Sequence, residues 1–259
     1  MAKIELFDTH VHLNSKMYEA DLDEVIHRAV EAGVTRMAVI GFDEPSNARA
    51  LELAEQYESI YAVVGIHPSD AKSATDDSWP LLRQQLTHPK VVALGECGFD
   101  YYHDTSFNDI QRDVFKKQLE IAKEMDMPIV VHMRDSTHDT YEMLNDEGRG
   151  LSGVVHCYSG DVLMMQKFLD LGFYIGLDGP VTFKNAHNVH EIAKVVPIDR
   201  LVIETDGPYL TPTPNRGKRN EPAYVSYVAE KIAELKGMTY EEVCRITTEN
   251  GLKMYRLEI

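Results

Sequence analysis

The sequence is poor in cysteine, has a single tryptophan, and contains no apolar run of membrane-spanning length. Its three cysteines, Cys97, Cys157 and Cys244, are odd in number and have no C-x-x-C spacing. That excludes a disulfide framework and a cysteine-built zinc site, and they read as reduced thiols packed as small apolar groups. A bilayer span needs roughly 20 apolar residues in a row, and the first residues show neither the basic start nor the apolar core of a secretion signal. The expectation is a cytoplasmic chain without membrane contact. Positive charge is also scarce, with 26 Lys and Arg against 42 Asp and Glu and a net charge of −16. This excludes a broad basic face that coats nucleic acid. It does not exclude an anionic substrate held at one point, because bound divalent cations reverse the local sign. Low-complexity tracts and Gly/Ser linkers are absent too, so one domain over residues 1–259 is expected, large enough to bury a substantial core.

What the sequence does contain is a repeated alternation. Eight short runs rich in β-branched residues, IELFD, RMAVIGF, YAVVGIH, VVALGE, PIVVH, SGVVH, YIGLD and RLVIETD, are separated by helical patterns. ADLDEVIHRAVEAG runs to Gly33, NDIQRDVFKKQLEIAKEMDMP stops at Pro128, and Thr239 with Glu242 makes a capping box for TYEEVCRITTENGLKMY. Eight strand–helix units in this length predict an α/β fold, a (β/α)8 TIM-type barrel. The alternative is a doubly wound open sheet, which would carry a glycine-rich turn after its first strand; here DTHVH stands in that place.

The strand ends carry the chemistry. The first run leads into His10 and His12, which alternation places on one face. The third ends at His67, the fourth at Glu96, the fifth at His132, the sixth at His156 and the eighth at Asp206. Barrel closure brings these ends to one mouth. A lone histidine at a strand end is usually a hydrogen-bonded structural residue, but the joint pattern of H-x-H, Glu, His, His and Asp in strand-end register is a ligand set. Four imidazoles and two carboxylates exceed the needs of one tetrahedral zinc. They suit two cations with Glu96 between them, His10 and His12 on one and His132 with His156 on the other. Asp206 would ligate the first ion and take a proton from the attacking water, which a metal brings towards a pKa of about 7. The residues by themselves predict metal-assisted hydrolysis.

At DTHVHL, GIHPSD, GECGFDYY, VVHMRD, VVHCYSG, ETDGPYL and RGKRNEP the sequence resembles the TatD family of metal-dependent deoxyribonucleases, within the amidohydrolase-like barrels. The matching stretches run through nearly the whole chain in the family's order. Cys97 stands where the family has an apolar residue, and Tyr158 where it usually has phenylalanine. The resemblance implies a dinuclear centre that cleaves phosphodiester bonds, commonly trimming DNA from its 3′ end. It implies His10, His12, Glu96 and Asp206 as ligands of one metal and Glu96, His132 and His156 as ligands of the other, with Asp206 and Glu96 at the chemistry. His67 and Arg134 would lie on the phosphate side.

Supporting residues carry two readings each. His67 is either a donor to the substrate phosphate or a structural histidine at a turn. Arg134 either forks onto phosphate or pairs with Asp135 or another carboxylate. Arg216, Lys218 and Arg219, concentrated in TPTPNRGKRNEP, are either grips for a nucleic-acid backbone or a solvated loop. Tyr101, Tyr102, Phe107 and Tyr209 could stack on bases but are more often packing. His103 reads as a surface histidine, and Cys97 and Cys157, each one residue past a ligand, as outward-facing. The expected cofactors are two divalent cations (zinc, manganese or magnesium) and the expected partner is single-stranded DNA, with no obligate protein partner. A dinuclear hydrolase of an amide, ester or cyclic amide is the second reading, and a non-catalytic metal-binding protein the third.

Overall fold

Eight parallel strands pair in chain order: β1 (Leu6–Val11), β2 (Val34–Ile40), β3 (Ile60–Val64), β4 (Val91–Asp100), β5 (Ile129–Arg134), β6 (Gly153–Val155), β7 (Tyr174–Leu177) and β8 (Leu201–Ile203). The structure, a computed structural model, describes residues 4–258. Helices α1 (Leu22–Glu31), α2 (Glu44–Gln56), α3 (Ser78–Leu86), α4 (Asn108–Glu124), α5 (Thr137–Asp146), α6 (Val162–Asp170) and α7 (His187–Val195) return each strand to the next. Two more, α8 (Val225–Lys236) and α9 (Tyr240–Met254), follow β8. The architecture is the TIM-type barrel, and the eight strand runs read from the sequence all form.

Alternation along the strands sorts the apolar residues into two layers. Phe7, Ile40, Val63, Val130, Val154 and Val202 form an inner cluster that Leu252, Met254 and Tyr255 complete. Their neighbours, among them Val39, Val64, Cys97, Val131 and Ile203, face outward into the larger core beneath the helices. Helix ends follow local chemistry. Thr239 and Glu242 exchange the capping-box bonds expected of them, and Gly33 takes a φ of 91° behind α1, in the region that favours glycine. Helix α8 lacked a separate expectation; the eighth unit's return is made by two helices.

The seam between β1 and β8 is closed differently from the others. Among the described residues only an isolated bridge joins Val11 to Gly207, beside bonds from the Asp206 N–H to the His10 carbonyl at 2.9 Å and from the His12 N–H to the Gly207 carbonyl at 2.7 Å. Side chains supply the remainder. Buried Asp8 accepts the N–H of Thr205 at 2.9 Å and its hydroxyl at 2.6 Å, and Thr9 Oγ1 donates to the Ile203 carbonyl at 3.0 Å. Helix α9 lies across the join: Asn250 donates to the carbonyls of Ile198 and Leu201, and the Tyr255 hydroxyl to that of Thr9. Replacing Asp8 by Ala leaves the Thr205 donors buried without an acceptor. It should lower unfolding free energy by about 2–4 kcal/mol, at the scale of buried polar groups stripped of their partner. A urea denaturation midpoint within error of wild type would show that the seam does not depend on this contact.

Candidate metal centre

The six strand-end residues meet at one end of the barrel. Glu96, which is 2% exposed, divides its oxygens between two groups. Oε2 lies 3.5 Å from His10 Nε2 and 3.9 Å from His12 Nε2. Oε1 lies 2.6 Å from His156 Nε2 and 2.7 Å from His132 Nδ1. Asp206 Oδ1 joins the first group, 3.6 Å from His10 Nε2 and 3.4 Å from His12 Nε2. The imidazoles crowd one another edge to edge, with 3.4 Å between His10 Nε2 and His12 Nε2 and the same between His156 Nε2 and His132 Nδ1. His12 donates from Nδ1 to the Ile40 carbonyl at 3.0 Å, which turns Nε2 inward to Asp206 and the centre. Nitrogen and oxygen lone pairs converging in a buried space fit divalent cations, and His10, Glu96 and His156 on one side and His10, His12 and Asp206 on the other form groups able to hold one.

Electrostatics agree with the geometry. Burial by itself would push Glu96 up, but His156, His10 and His67 pull it well below its ordinary value, so it stays ionised. Asp206, also opposed by burial, is held down chiefly by its hydrogen bond to His12. Burial and the neighbouring His156 lower His10. Asp206 occupies the left-handed region with a φ of 54°, a backbone state that for a non-glycine residue is held in place by its surroundings.

The remaining expected residues divide. His67 stands beside the centre, its Nε2 3.8 Å from Glu96 Oε1. Its Nδ1 accepts the Ser69 N–H at 3.0 Å, and burial with His132 nearby drops it to about 3, so it is neutral with its proton on Nε2. Arg134 lines the same cavity of ≈ 550 Å³. It forms no ion pair among the described residues, and its guanidinium rests 4.0 Å above the Tyr102 ring. Tyr102 and Tyr209 are the exposed aromatics of the four considered, at 59% and 55%; Tyr209 lines the cavity. Phe107 is buried, and the Tyr101 hydroxyl is bonded to Asp139.

Arg219 is a correction. Its guanidinium is committed to Asp21 at 2.7 and 2.6 Å, donates to the Met17 carbonyl and covers Tyr18, so it braces α1 instead of facing the cavity. Arg216 stacks 3.6 Å above Phe183 and, like Lys218, lies outside the cavity lining. Cys157 is another correction. Strand β6 stops at Val155, and Cys157 turns with a φ of 43°, so alternation no longer applies. Its N–H is bonded to Glu204 and its thiol is turned towards buried Asp178, which together with burial raises it well above the ordinary range. Cys97 does face outward, as expected.

Asp100 and His103 were missed. Both line the cavity, and His103 Nδ1 is bonded to Asp100 Oδ2 at 2.9 Å. The expectation ended the fourth strand at Glu96, whereas β4 runs on to Asp100. Continuing the alternation through 96, 98 and 100 would have placed Asp100 on the ligand face. Gly98 lies between them with a φ of 143°; a Cβ there would be 2.0 Å from the His132 carbonyl oxygen, so only glycine lets β5 approach.

A barrel with this mouth is that of a metal-dependent hydrolase. The chain belongs to the TatD related DNase family, whose profile matches residues 7–256. It is 49% identical over 253 residues to the uncharacterized metal-dependent hydrolase YabD of Bacillus subtilis, covering 97% of this chain and 99% of YabD. It is 34% identical over 259 residues to the 3′-5′ ssDNA/RNA exonuclease TatD of Salmonella typhimurium, covering 97% and 99%. Among solved structures, the TatD homolog YJJV of Escherichia coli superposes with a TM-score of 0.92 at 29% identity, covering 98% and 99%. Among the described residues no helix is long and apolar enough to cross a membrane.

Since Arg219 acts as a brace, Arg219→Ala should cost about 1 kcal/mol or less of stability, the range of a partly exposed bidentate pair. Binding of a single-stranded oligonucleotide, read by fluorescence anisotropy, should not change. Weakened oligonucleotide binding would return Arg219 to the substrate-binding set.

Proposed function

We propose that this protein is a phosphodiesterase that trims single-stranded nucleic-acid ends, DNA foremost, in the 3′ to 5′ direction. It would hold two divalent cations on His10, His12, Glu96, His132, His156 and Asp206. The observation that carries the reading is the division of Glu96, one oxygen towards each histidine pair, beside two proton donors that make no hydrogen bond to a carboxylate among the described residues. Those donors are His67 Nε2 and the Arg134 guanidinium. The name of the Salmonella relative supports nucleic acid as the substrate class.

Zinc, manganese or magnesium bound there would neutralise charge on the phosphate oxygens and make hydroxide available near neutral pH. The protein's own groups do the rest. Asp206, ionised and held between His10 and His12, accepts the proton of the attacking water. His67, neutral with its proton on Nε2, donates a hydrogen bond to a non-bridging phosphate oxygen without adding a buried charge. Arg134, braced on Tyr102, offers its fork to the same phosphate or the next one. These local donors work against a net charge of −16, so attraction of the substrate is confined to the mouth.

The decisive experiment digests end-labelled single-stranded DNA with chelator, then with each metal restored singly. The expected result is stepwise loss from the 3′ end that chelator abolishes and at least one metal restores. Asp206→Asn should lower turnover by roughly 10²–10⁴-fold, the range of a lost general base. Arg134→Ala should raise KM by about 10-fold or more, as expected for a lost charge-assisted bond. Hydrolysis of amides or carboxylic esters with no cleavage of the oligonucleotide would replace this reading by the small-molecule one.

A further inference from the structure

The ligand candidates differ in what stands behind them. His12 turns its outer nitrogen to a main-chain carbonyl. His132 turns its outer nitrogen to a carboxylate: Nε2 is 3.1 Å from Asp100 Oδ2, while Nδ1 lies 2.7 Å from Glu96 Oε1. A neutral imidazole carries one proton, and an ionised carboxylate can only accept. Both ring nitrogens thus face an acceptor, and when a cation takes the Nδ1 side beside Glu96 and His156, the Asp100 contact holds the remaining proton on Nε2.

Asp100 is itself fixed from several directions. Its Oδ1 accepts the N–H groups of Tyr102 and His103, both at 3.0 Å. Its Oδ2 also takes His103 Nδ1 at 2.9 Å. Buried Gln111 of α4 brackets its main chain, accepting the Asp100 N–H and donating to its carbonyl, each at 3.0 Å. A carboxylate at 1% exposure with this many partners has no freedom to follow the histidine, so the histidine follows it.

We propose that Asp100 is the positioning residue of the His132 half of the centre. It holds the Nε2 side of the ring, sets the ring angle and so turns Nδ1 to the centre, and it touches neither cation nor substrate. This rests on the metal-centre reading given under Proposed function. The competing geometry is a further cation among His67, Asp100 and His132, whose donor atoms lie within 4.8 Å of one another. A shared hydrogen already accounts for the 3.1 Å between His132 and Asp100.

The test compares wild type with Asp100→Ala and Asp100→Asn, the second keeping an acceptor oxygen and the side chain's volume. Long-range ¹⁵N–¹H NMR of the metal-free proteins follows the His132 Nε2 proton and its exchange with solvent, and competition with a chromophoric chelator reads affinity and stoichiometry for Zn²⁺. Wild type should show an Nε2 proton protected from exchange. Asp100→Ala should lose that protection and weaken one of two Zn²⁺ sites by about 10–100-fold, the usual effect of losing such a partner. Asp100→Asn should keep much of the protection and lose less affinity, with two Zn²⁺ bound throughout. Unchanged Nε2 exchange and affinity in Asp100→Ala would overturn the proposal. So would the loss of one whole equivalent of Zn²⁺ from a wild-type total of three, which would make Asp100 a ligand. A wild type that takes up no Zn²⁺ would sink the metal-centre reading itself, and Nε2 proton exchange in the metal-free chains would still decide the role of Asp100.

Discussion

Closure between β1 and β8 is the constraint on which the centre depends. His10 and His12 come from the first strand and its exit, Asp206 from the exit of the last, and they meet Glu96 from the opposite wall. Residues nearly 200 positions apart must be held to within a hydrogen-bond length, yet among the described residues the seam carries no continuous ladder. The bond from the Asp206 N–H to the His10 carbonyl joins the main chains of two candidate ligands directly. Asp8, two residues before His10, grips Thr205, one residue before Asp206. The parts that shut the barrel are thus also the parts that aim the side chains.

The interior is divided along its length by chemistry. The inner cluster of Phe7, Ile40, Val63, Val130, Val154 and Val202 is purely apolar and gains from burial in the usual way. Beyond it the barrel interior holds Asp8, His10, Glu96, His156, Asp178 and Glu204, all at 4% exposure or less. Several of their atoms, including His10 Nδ1, His156 Nδ1 and Glu204 Oε2, have no hydrogen-bond partner among the described residues. Placing so many ionisable groups out of water costs stability. The apolar half and the helix layer must offset that cost, a division of labour common to sites that trade stability for activity.

Much of this was legible in the sequence because barrel geometry turns strand ends into a register that can be read. Each β-branched run stops where a polar ligand type begins, so the alternation of eight strands and the six convergent side chains followed from local pattern alone. What escaped depended on contacts between distant segments. Arg219 looked like a free cation because Asp21, with which it pairs, lies 198 residues away. Cys157 looked outward-facing because the short span of β6 and the left-handed turn after it leave no mark in composition. Asp100 was lost when the strand was ended at its first charged residue; glycine at position 98, which usually weakens a strand, here keeps two strands in contact around the ligands.

The lip beside the cavity is stiff. Asn220 is fully buried and donates from one amide to the carbonyls of Thr205 and Tyr209, while its own N–H reaches the Pro208 carbonyl. Arg28 and Arg219 tie the following chain to α1 through Glu221 and Asp21. An opening braced by these bonds has its shape set before a guest arrives. Were the guest the nucleic-acid end proposed above, a double helix, which resists bending over roughly 150 base pairs, would fit such a set opening less easily than an unpaired strand. Selection for loose strands would then come from the architecture of the threshold, with no need to read a base.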